Sequence, residues 1–251
     1  MFYFYQTFNS DEHKGSKVLL VNFCSFFLVL RVFVFFISFF IGSDISAVVF
    51  VSEDKIYWFS PSGFEYTLCG HGNLAAALHF SRDKIILHNT HQGDIVITKK
   101  AQNEFIQELN PIEIFKAEAD TTTLVVLNIV DSNILYFGKS HFGIFIYFKD
   151  PNVVKNMKPI FDLLKFIRQR NVVVMSNIED TVIFRCFSPL LGIEEDQSTG
   201  SAGIIAGSVY ASLNNKENEW LKLTQLSENG AIMHFKKEKT KVYLSGNVEK
   251  V

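Results

Sequence analysis

Cysteine is scarce in this chain: Cys24, Cys69 and Cys186 are the three in 251 residues, far apart and with no C-x-x-C pair. That spacing argues against a structural zinc site and a disulfide framework, and it suits a reducing, cytoplasmic setting. An excess of either charge is also lacking. With 24 Lys and Arg against 26 Asp and Glu, the formal charge is -2, which provides no general attraction to phosphate backbones or acidic membranes. Nucleic acid is therefore not an expected partner. Apolar residues, by contrast, make up 48% of the chain. That is enough to bury a large core, in one large domain or two halves, and it argues against disorder. The 26 phenylalanines, many of them before position 65, read as a compositional bias of buried elements rather than a binding device.

One apolar run stands apart, "VLLVNFCSFFLVLRVFVFFISFFIG" from Val18 to Gly42. As a helix it would be long enough to cross a bilayer core of roughly 30 Å. Arg31 lies in its middle, where a charge costs about 2.5 to 3.5 kcal/mol on insertion scales, and Asn22, Ser25 and Ser38 interrupt it. A secretory signal would need a shorter apolar region and a small-residue cleavage site. Buried strand plus core helix is the preferred reading, with a membrane helix and a signal as the other two.

Short apolar stretches bounded by Asp, Asn, Gly or Ser recur along the rest of the chain, among them "SAVVFV", "KIILHNT", "TLVVLNIV", "FGIFIYF" and "TVIFRCFS". They predict strands. Helices are expected over Gly72 to Ser81, over Asn152 to Arg168 with Pro159 breaking or restarting it, and over Ala202 to Leu213. The fold class is α+β, rich in strands. Two helical stretches look alike: "CGHGNLAAALHF" from Cys69 and "STGSAGIIAGSVYASL" from Ser198 both open on glycine and small polar residues. Their spacing, about half the chain, suggests two equivalent halves, each wrapping strands around one small-residue helix.

Backbone N–H groups at a helix start lack intrahelical partners and carry partial positive charge, so two facing starts would form an anion-binding cleft. Gly70, Gly72, Gly200 and Gly203 would let a ligand approach the backbone closely. Cys69 and His71 on one side, and Asp196, Thr199 and Ser201 on the other, would supply hydrogen bonds and proton transfer. Each also has an ordinary structural role: Cys69 as a small buried hydrophobe, His71 as a polar residue near a helix start, Asp196 as a loop or cap carboxylate.

"FSPSGFEYTLCGHGNLAAA" (Phe59 to Ala77) and "RCFSPLLGIEEDQSTGSAG" (Arg185 to Gly203) resemble the two signatures of the phenazine-biosynthesis isomerase-like family, F-x-P-x-x-E-x-x-x-C-G-H-x-x-x-A-A-A and R-x-F-x-P-x-x-G-I-x-E-D-P-x-T-G-S-A. A weaker likeness runs from about Phe4 to the end of the chain. The resemblance implies the diaminopimelate-epimerase-like fold, with two similar halves, 1–117 and 118–251, each a curved sheet around a core helix, and the last strand able to pair back with the first half. It further implies a homodimer, no metal and no organic cofactor. Catalysis would proceed by proton abstraction beside an activated carbon and reprotonation elsewhere. His71, Asp196 and Ser201 match the family's substrate-contacting residues, and Gly70 and Gly200 match the flanking glycines.

The departure is at the general base. The family's E-x-x-x-S-E-T-x-F run aligns its S-to-F piece with "SAVVF", Ser46 to Phe50, which sets Gly42 at the glutamate, with Asp44 two positions away. Gln197 also replaces a signature proline. The proline-racemase-like enzymes use a cysteine in a similar C-G-H-G run with a second cysteine opposite, but here Thr199 stands at that second place. The leading expectation is an isomerase acting on a small carboxylate-bearing metabolite, with slow proton exchange because the glutamate is missing. Asp44 and Cys69 are then the nearest stand-in bases, while Asp196 and His71 orient the ligand. A catalytically silent member that binds a metabolite or a protein, and a membrane-anchored protein, are the alternatives.

Overall fold

The computed structural model describes residues 1–22, 45–61, 63–129 and 134–251. Strands β1 (Phe2–Thr7), β2 (Ser16–Asn22), β3 (Ile45–Ser52) and β4 (Lys55–Phe59) precede helix α1 (Gly70–Phe80), and β5 (Lys84–Asn89), β6 (Gly93–Lys99) and β7 (Glu104–Leu109) follow it. A two-residue-long strand β8 (Phe115–Lys116) and a helix α2 (Thr121–Val126) lead to β9 (Ile134–Ser140) and β10 (Gly143–Phe148). Then come α3 (Pro151–Asn156), α4 (Phe161–Leu164), β11 (Asn171–Ile178), β12 (Thr181–Phe187), α5 (Gly200–Leu213), β13 (Leu221–Gln225), β14 (Ala231–Lys237) and β15 (Val242–Lys250).

The pairings repeat. From β1 to β7 successive strands pair antiparallel, parallel, antiparallel, parallel, antiparallel, antiparallel, with α1 inserted between β4 and β5. From β9 to β15 the same order recurs, with α5 between β12 and β13. The molecule is thus an α+β protein of two similar halves, each a curved sheet wrapped around a central helix. β15 belongs to both halves. One of its edges pairs with β7, while the other pairs with β14 through Val242 to Ser245 and then with β1 through Val248 to Lys250. As a result, β1 to β7 together with β15 close a circuit around α1.

Strands buried on both faces read as continuous apolar runs, and β11 shows why. Val173 and Met175 face the core that holds α1 and α5, while Val172 and Val174 face an outer layer formed with Val126, Val154 and Leu164 of α2, α3 and α4. The two central helices are buried on nearly every side, so they carry alanine and glycine instead of an apolar stripe. A methyl group at Gly72 would meet Trp58, at Gly203 Met233, and at Gly207 the Phe235 ring.

Several sequence expectations need correction. "TLVVLNIV" begins as helix α2 instead of a strand, because the Asp120 carboxylate accepts hydrogen bonds from Thr123 N at 2.8 Å and Thr123 Oγ1 at 2.9 Å, capping the turn. The stretch from Asn152 to Arg168 is two short helices and a 3₁₀ turn separated at Pro159. Strands β7, β13 and β14 escaped the reading; "EFIQEL" and "LKLTQ" are short, and buried glutamines occupy positions where an apolar residue would have marked them. Of the long N-terminal run, Val18 to Asn22 lie in β2, while Cys24, Ser25, Arg31, Ser38, Gly42 and Asp44 fall outside the described residues. No helix among the described residues is long and apolar enough to cross a membrane.

Candidate active site at the meeting of two helix starts

α1 and α5 begin against each other. A methyl group on Gly200 would stand 3.3 Å from the Gly70 Cα, and one on Gly70 3.5 Å from the Gly200 Cα. Glycine at both positions therefore serves the contact between the halves as well as access to the backbone. Each start is braced by a buried glutamine. Gln107 of β7 accepts from Asn73 Nδ2 at 2.8 Å and donates to the Gly70 carbonyl at 3.3 Å; Gln225 of β13 accepts from Thr199 N–H at 2.6 Å and donates to the Asp196 carbonyl. Among the described residues, the N–H groups of Gly70, Gly200 and Ser201 have no such partner, as expected for the first turn of a helix.

A cleft of about 50 Å³ opens at this junction. Cys69, Gly70 and His71 line it from the first half, and Asp196, Thr199, Gly200 and Ser201 from the second. A larger hollow of about 480 Å³ adjoins it and shares Ser46, Leu191 and Asp196. Gly72 does not line either space; it is occupied with Trp58 and Val49.

His71 is only 7% exposed. Its ring stacks edge-on against Phe8 with centroids 5.4 Å apart, and its Nδ1 lies 3.9 Å from the Cys69 Sγ. Its Nε2 is buried without a well-formed hydrogen bond. Burial pushes the imidazole down to about 4, the Ser198 backbone opposing this only in part, so the ring is neutral at pH 7. The Cys69 thiol is pushed up to about 12, again chiefly by burial, with nearby backbone amides and Arg170 offsetting too little to make a thiolate.

Asp196 is fixed through its backbone: its N–H donates to the Cys186 carbonyl of β12 at 2.9 Å. Next to it, Glu195 takes both arms of Arg185, Nε at 2.7 Å and Nη2 at 2.8 Å, and Arg185 also donates to the Met157 carbonyl at 2.7 Å. The Asp196 carboxylate accepts from Ser198 N–H at 3.3 Å. Burial raises it to about 6, Thr199 and the backbone of Ser198 and Gln197 restraining the shift. A carboxylate with that value is largely ionised at pH 7 yet is a far better proton acceptor than an ordinary aspartate.

Three residues packed at the helix starts were not singled out from sequence. Phe8 is fully buried with a left-handed backbone, φ 56°, and its ring tip lies within 3.5 Å of the methyl positions on both Gly70 and Gly200. Nothing marks it among the other phenylalanines. Gln107 and Gln225 are the other two, legible only as polar residues inside strand-like stretches. Among the described residues no group of three or more His, Cys, Asp or Glu converges on a point that would hold a metal ion.

Comparison with known proteins agrees with this architecture. The model of the family described as "Phenazine biosynthesis-like protein" matches residues 42–251. An uncharacterized isomerase of Halalkalibacterium halodurans is 32% identical over 201 residues, covering 76% of this chain and 74% of that protein. One from Vibrio cholerae is 27% identical over 152 residues, 59% of this chain and 52% of its own length. The crystal structure of a PhzF-family phenazine biosynthesis protein from Enterococcus faecalis superposes with a TM-score of 0.84 at 20% identity, over 99% of this chain and 95% of that one. A hydroxyproline epimerase from Agrobacterium vitis, with bound trans-4-hydroxy-L-proline, superposes with a TM-score of 0.63 at 10% identity, over 100% of this chain and 91% of that one.

Proposed function

Since the chain belongs to the phenazine biosynthesis-like protein family, we propose that it is an isomerase moving a proton on a small carboxylate-bearing metabolite, without metal or organic cofactor, in the cleft between its halves. The observation that carries this reading is the placement of a neutral His71, its Nε2 buried without a well-formed hydrogen bond, and an Asp196 raised to about 6 at the meeting point of two helix starts.

The substrate carboxylate sits against the N–H groups of Gly70, Gly200 and Ser201. Asp196 accepts the proton from the carbon beside it, and the electron pair left behind spreads onto the carboxylate oxygens, where those N–H groups stabilise it. With the Cys69 thiol proton directed at Nδ1, His71 carries its ring proton on Nε2 and donates a hydrogen bond to the substrate, while Asp196, having taken the proton, returns it at the new position. Cys69 holds the tautomer and is not the base. Gly72 and Thr199 shape the two helix starts.

Gly42 stands where the family's glutamate would be, and Asp44 is the nearest carboxylate in sequence; both lie outside the described residues. A positioned base contributes about 10²- to 10⁴-fold, so Asp196 working alone gives a modest catalyst. The test is deuterium incorporation from heavy water into small amino and hydroxy acids. Asp196→Asn should lower exchange by about 10²-fold or more, His71→Gln should do so as well, and Cys69→Ala should leave it within about twofold. Exchange that survives Asp196→Asn but vanishes with Asp44→Asn would transfer the base to Asp44, and a gain in Gly42→Glu would mark a lost carboxylate. If no acid exchanges although carboxylates bind, the chain is a silent member that binds ligand without turning it over.

A further inference from the structure

Among the described residues Arg170 has no anionic partner, and this sets it apart from Arg185, whose guanidinium pairs with Glu195 beside Asp196. Arg185 is saturated by Glu195 and a backbone carbonyl. Arg170 lines the cleft with His71, Asp196 and Ser201, and among the described residues it makes neither an ion pair nor a hydrogen bond. Its guanidinium carbon lies over the Tyr66 ring, 5.5 Å from the ring centre. Tyr66 in turn is held by its hydroxyl, which donates to the Ser46 carbonyl at 3.4 Å on the opposite rim.

The residue after Arg170 is tied down by hydrogen bonds. Arg170 immediately precedes Asn171, whose amide donates to the Phe142 carbonyl at 2.9 Å and whose oxygen accepts from Ser188 Oγ at 2.7 Å. Its charge acts on the interior, lowering the pKa of both Cys69 and Tyr66 against the larger effect of burial. The internal repeat explains its placement. β11 corresponds to β3 in the order of pairings, so the residues that begin these strands border the cleft from its two sides: Ser46 from β3, and Asn171 with the preceding Arg170 from β11.

A half-buried guanidinium facing a cleft, stacked on an aromatic ring and unpaired, is the usual means of taking a carboxylate or phosphate in a fork of two hydrogen bonds. We infer that Arg170 selects substrates bearing a second acidic group, carboxylate or phosphate, distal to the carboxylate held by the helix starts. The substrate class is then a small dianionic acid, and Arg170 is a specificity residue, since it does not touch the atoms that exchange the proton. This rests on the reading above that the helix starts take the first carboxylate.

The experiment titrates the full chain by calorimetry with three probes of similar length: propionate, succinate and 3-phosphonopropionate. Wild type should bind at least one diacid about tenfold or more tighter than propionate, the gain of one charge-assisted hydrogen-bonded pair. Whichever diacid is favoured tells carboxylate from phosphate. Arg170→Gln should erase that ratio while leaving propionate affinity within about twofold, and Arg170→Lys should restore part of it. A merely structural arginine would change all three affinities together or none. Equal binding of propionate and both diacids in wild type overturns the assignment of Arg170 while leaving the helix-start site standing. So does a diacid preference that persists in Arg170→Gln. Failure of all three probes to bind overturns both.

Discussion

At the scale of single residues, His71 and Asp196 shift in opposite directions, and this has a consequence for stability. His71, lowered from 6.5 to about 4, sheds its proton on folding, so its contribution is complete above pH 6.5 and is lost as pH falls through 4. Asp196, raised from 3.8 to about 6, keeps its proton longer when folded, so its contribution is present below pH 3.8 and lost as pH rises through 6. Between about pH 4 and 6 the folded state therefore lacks one proton on His71 and holds one extra on Asp196, and the two slopes cancel. Urea midpoints of wild type should be nearly flat across that window as far as this pair is concerned. Relative to wild type, His71→Gln should lose stability with rising pH and Asp196→Asn should gain it, each by up to about 1.36 kcal/mol per pH unit. Parallel profiles for all three proteins would mean that the two groups are not perturbed as described. The same Asp196 value predicts proton exchange that rises with pH and levels off above about pH 6.

At the scale of elements, the two central helices are positioned by what they lack. Gly72, Gly203 and Gly207 leave room for Trp58, Met233 and Phe235, and Gly70 and Gly200 leave room for each other. Phe8 fills the space under both starts, with its backbone N–H donating to the Asn247 carbonyl at 2.7 Å and its carbonyl accepting from Ile232 N–H at 3.1 Å. Phe8→Ala should cost about 3 to 5 kcal/mol by leaving a cavity between the halves, and it should also move the His71 pKa back toward its ordinary range as water reaches the ring. Denaturant unfolding together with an NMR titration of the imidazole measures both effects. Lost stability with an unmoved imidazole would show that Phe8 supports the helices without shaping the site. Gly200→Ala is expected to weaken the protein as well as the site, because its methyl would press on Leu244 at 3.2 Å and on the Gly70 backbone at 3.3 Å.

At the scale of the whole molecule, one apolar cluster contains residues of both helices, Leu74 to Ala77 and Ala202 to Ala211 among them. A core that runs through both halves should unfold in one step, with calorimetric and van't Hoff enthalpies equal. β15 reinforces that expectation, because it is the strand shared by both sheets. Removing Asn247 to Val251 would delete the pairing with β1 and the fully buried Val248, a loss of at least about 2 kcal/mol from the apolar side chain alone. The single transition should shift to lower temperature as a unit. A truncated protein showing two transitions, one unmoved, would mean that the second half stands by itself.

Much of the candidate cleft was readable in the chain because the helix starts that border it are local features. The C-G-H and T-G-S runs place His71, Gly70, Thr199, Gly200 and Ser201 at helix starts, and a helix start exposes its N–H groups whatever surrounds it. The fold class followed from short apolar strands, and the two halves from the similarity of the two glycine-led helices. Tertiary structure decided the rest, because it depends on distance in space and not in sequence. Gly72 turns toward Trp58 instead of the cleft, and Phe8 lies at the junction although more than sixty residues precede Gly70. Gln107 and Gln225 brace the starts from strands in which a buried polar side chain breaks the apolar pattern. Protonation too was settled by packing: the residue types set the ordinary values, but burial drove His71 down, Cys69 up and Asp196 into the range where a carboxylate can exchange a proton near neutral pH.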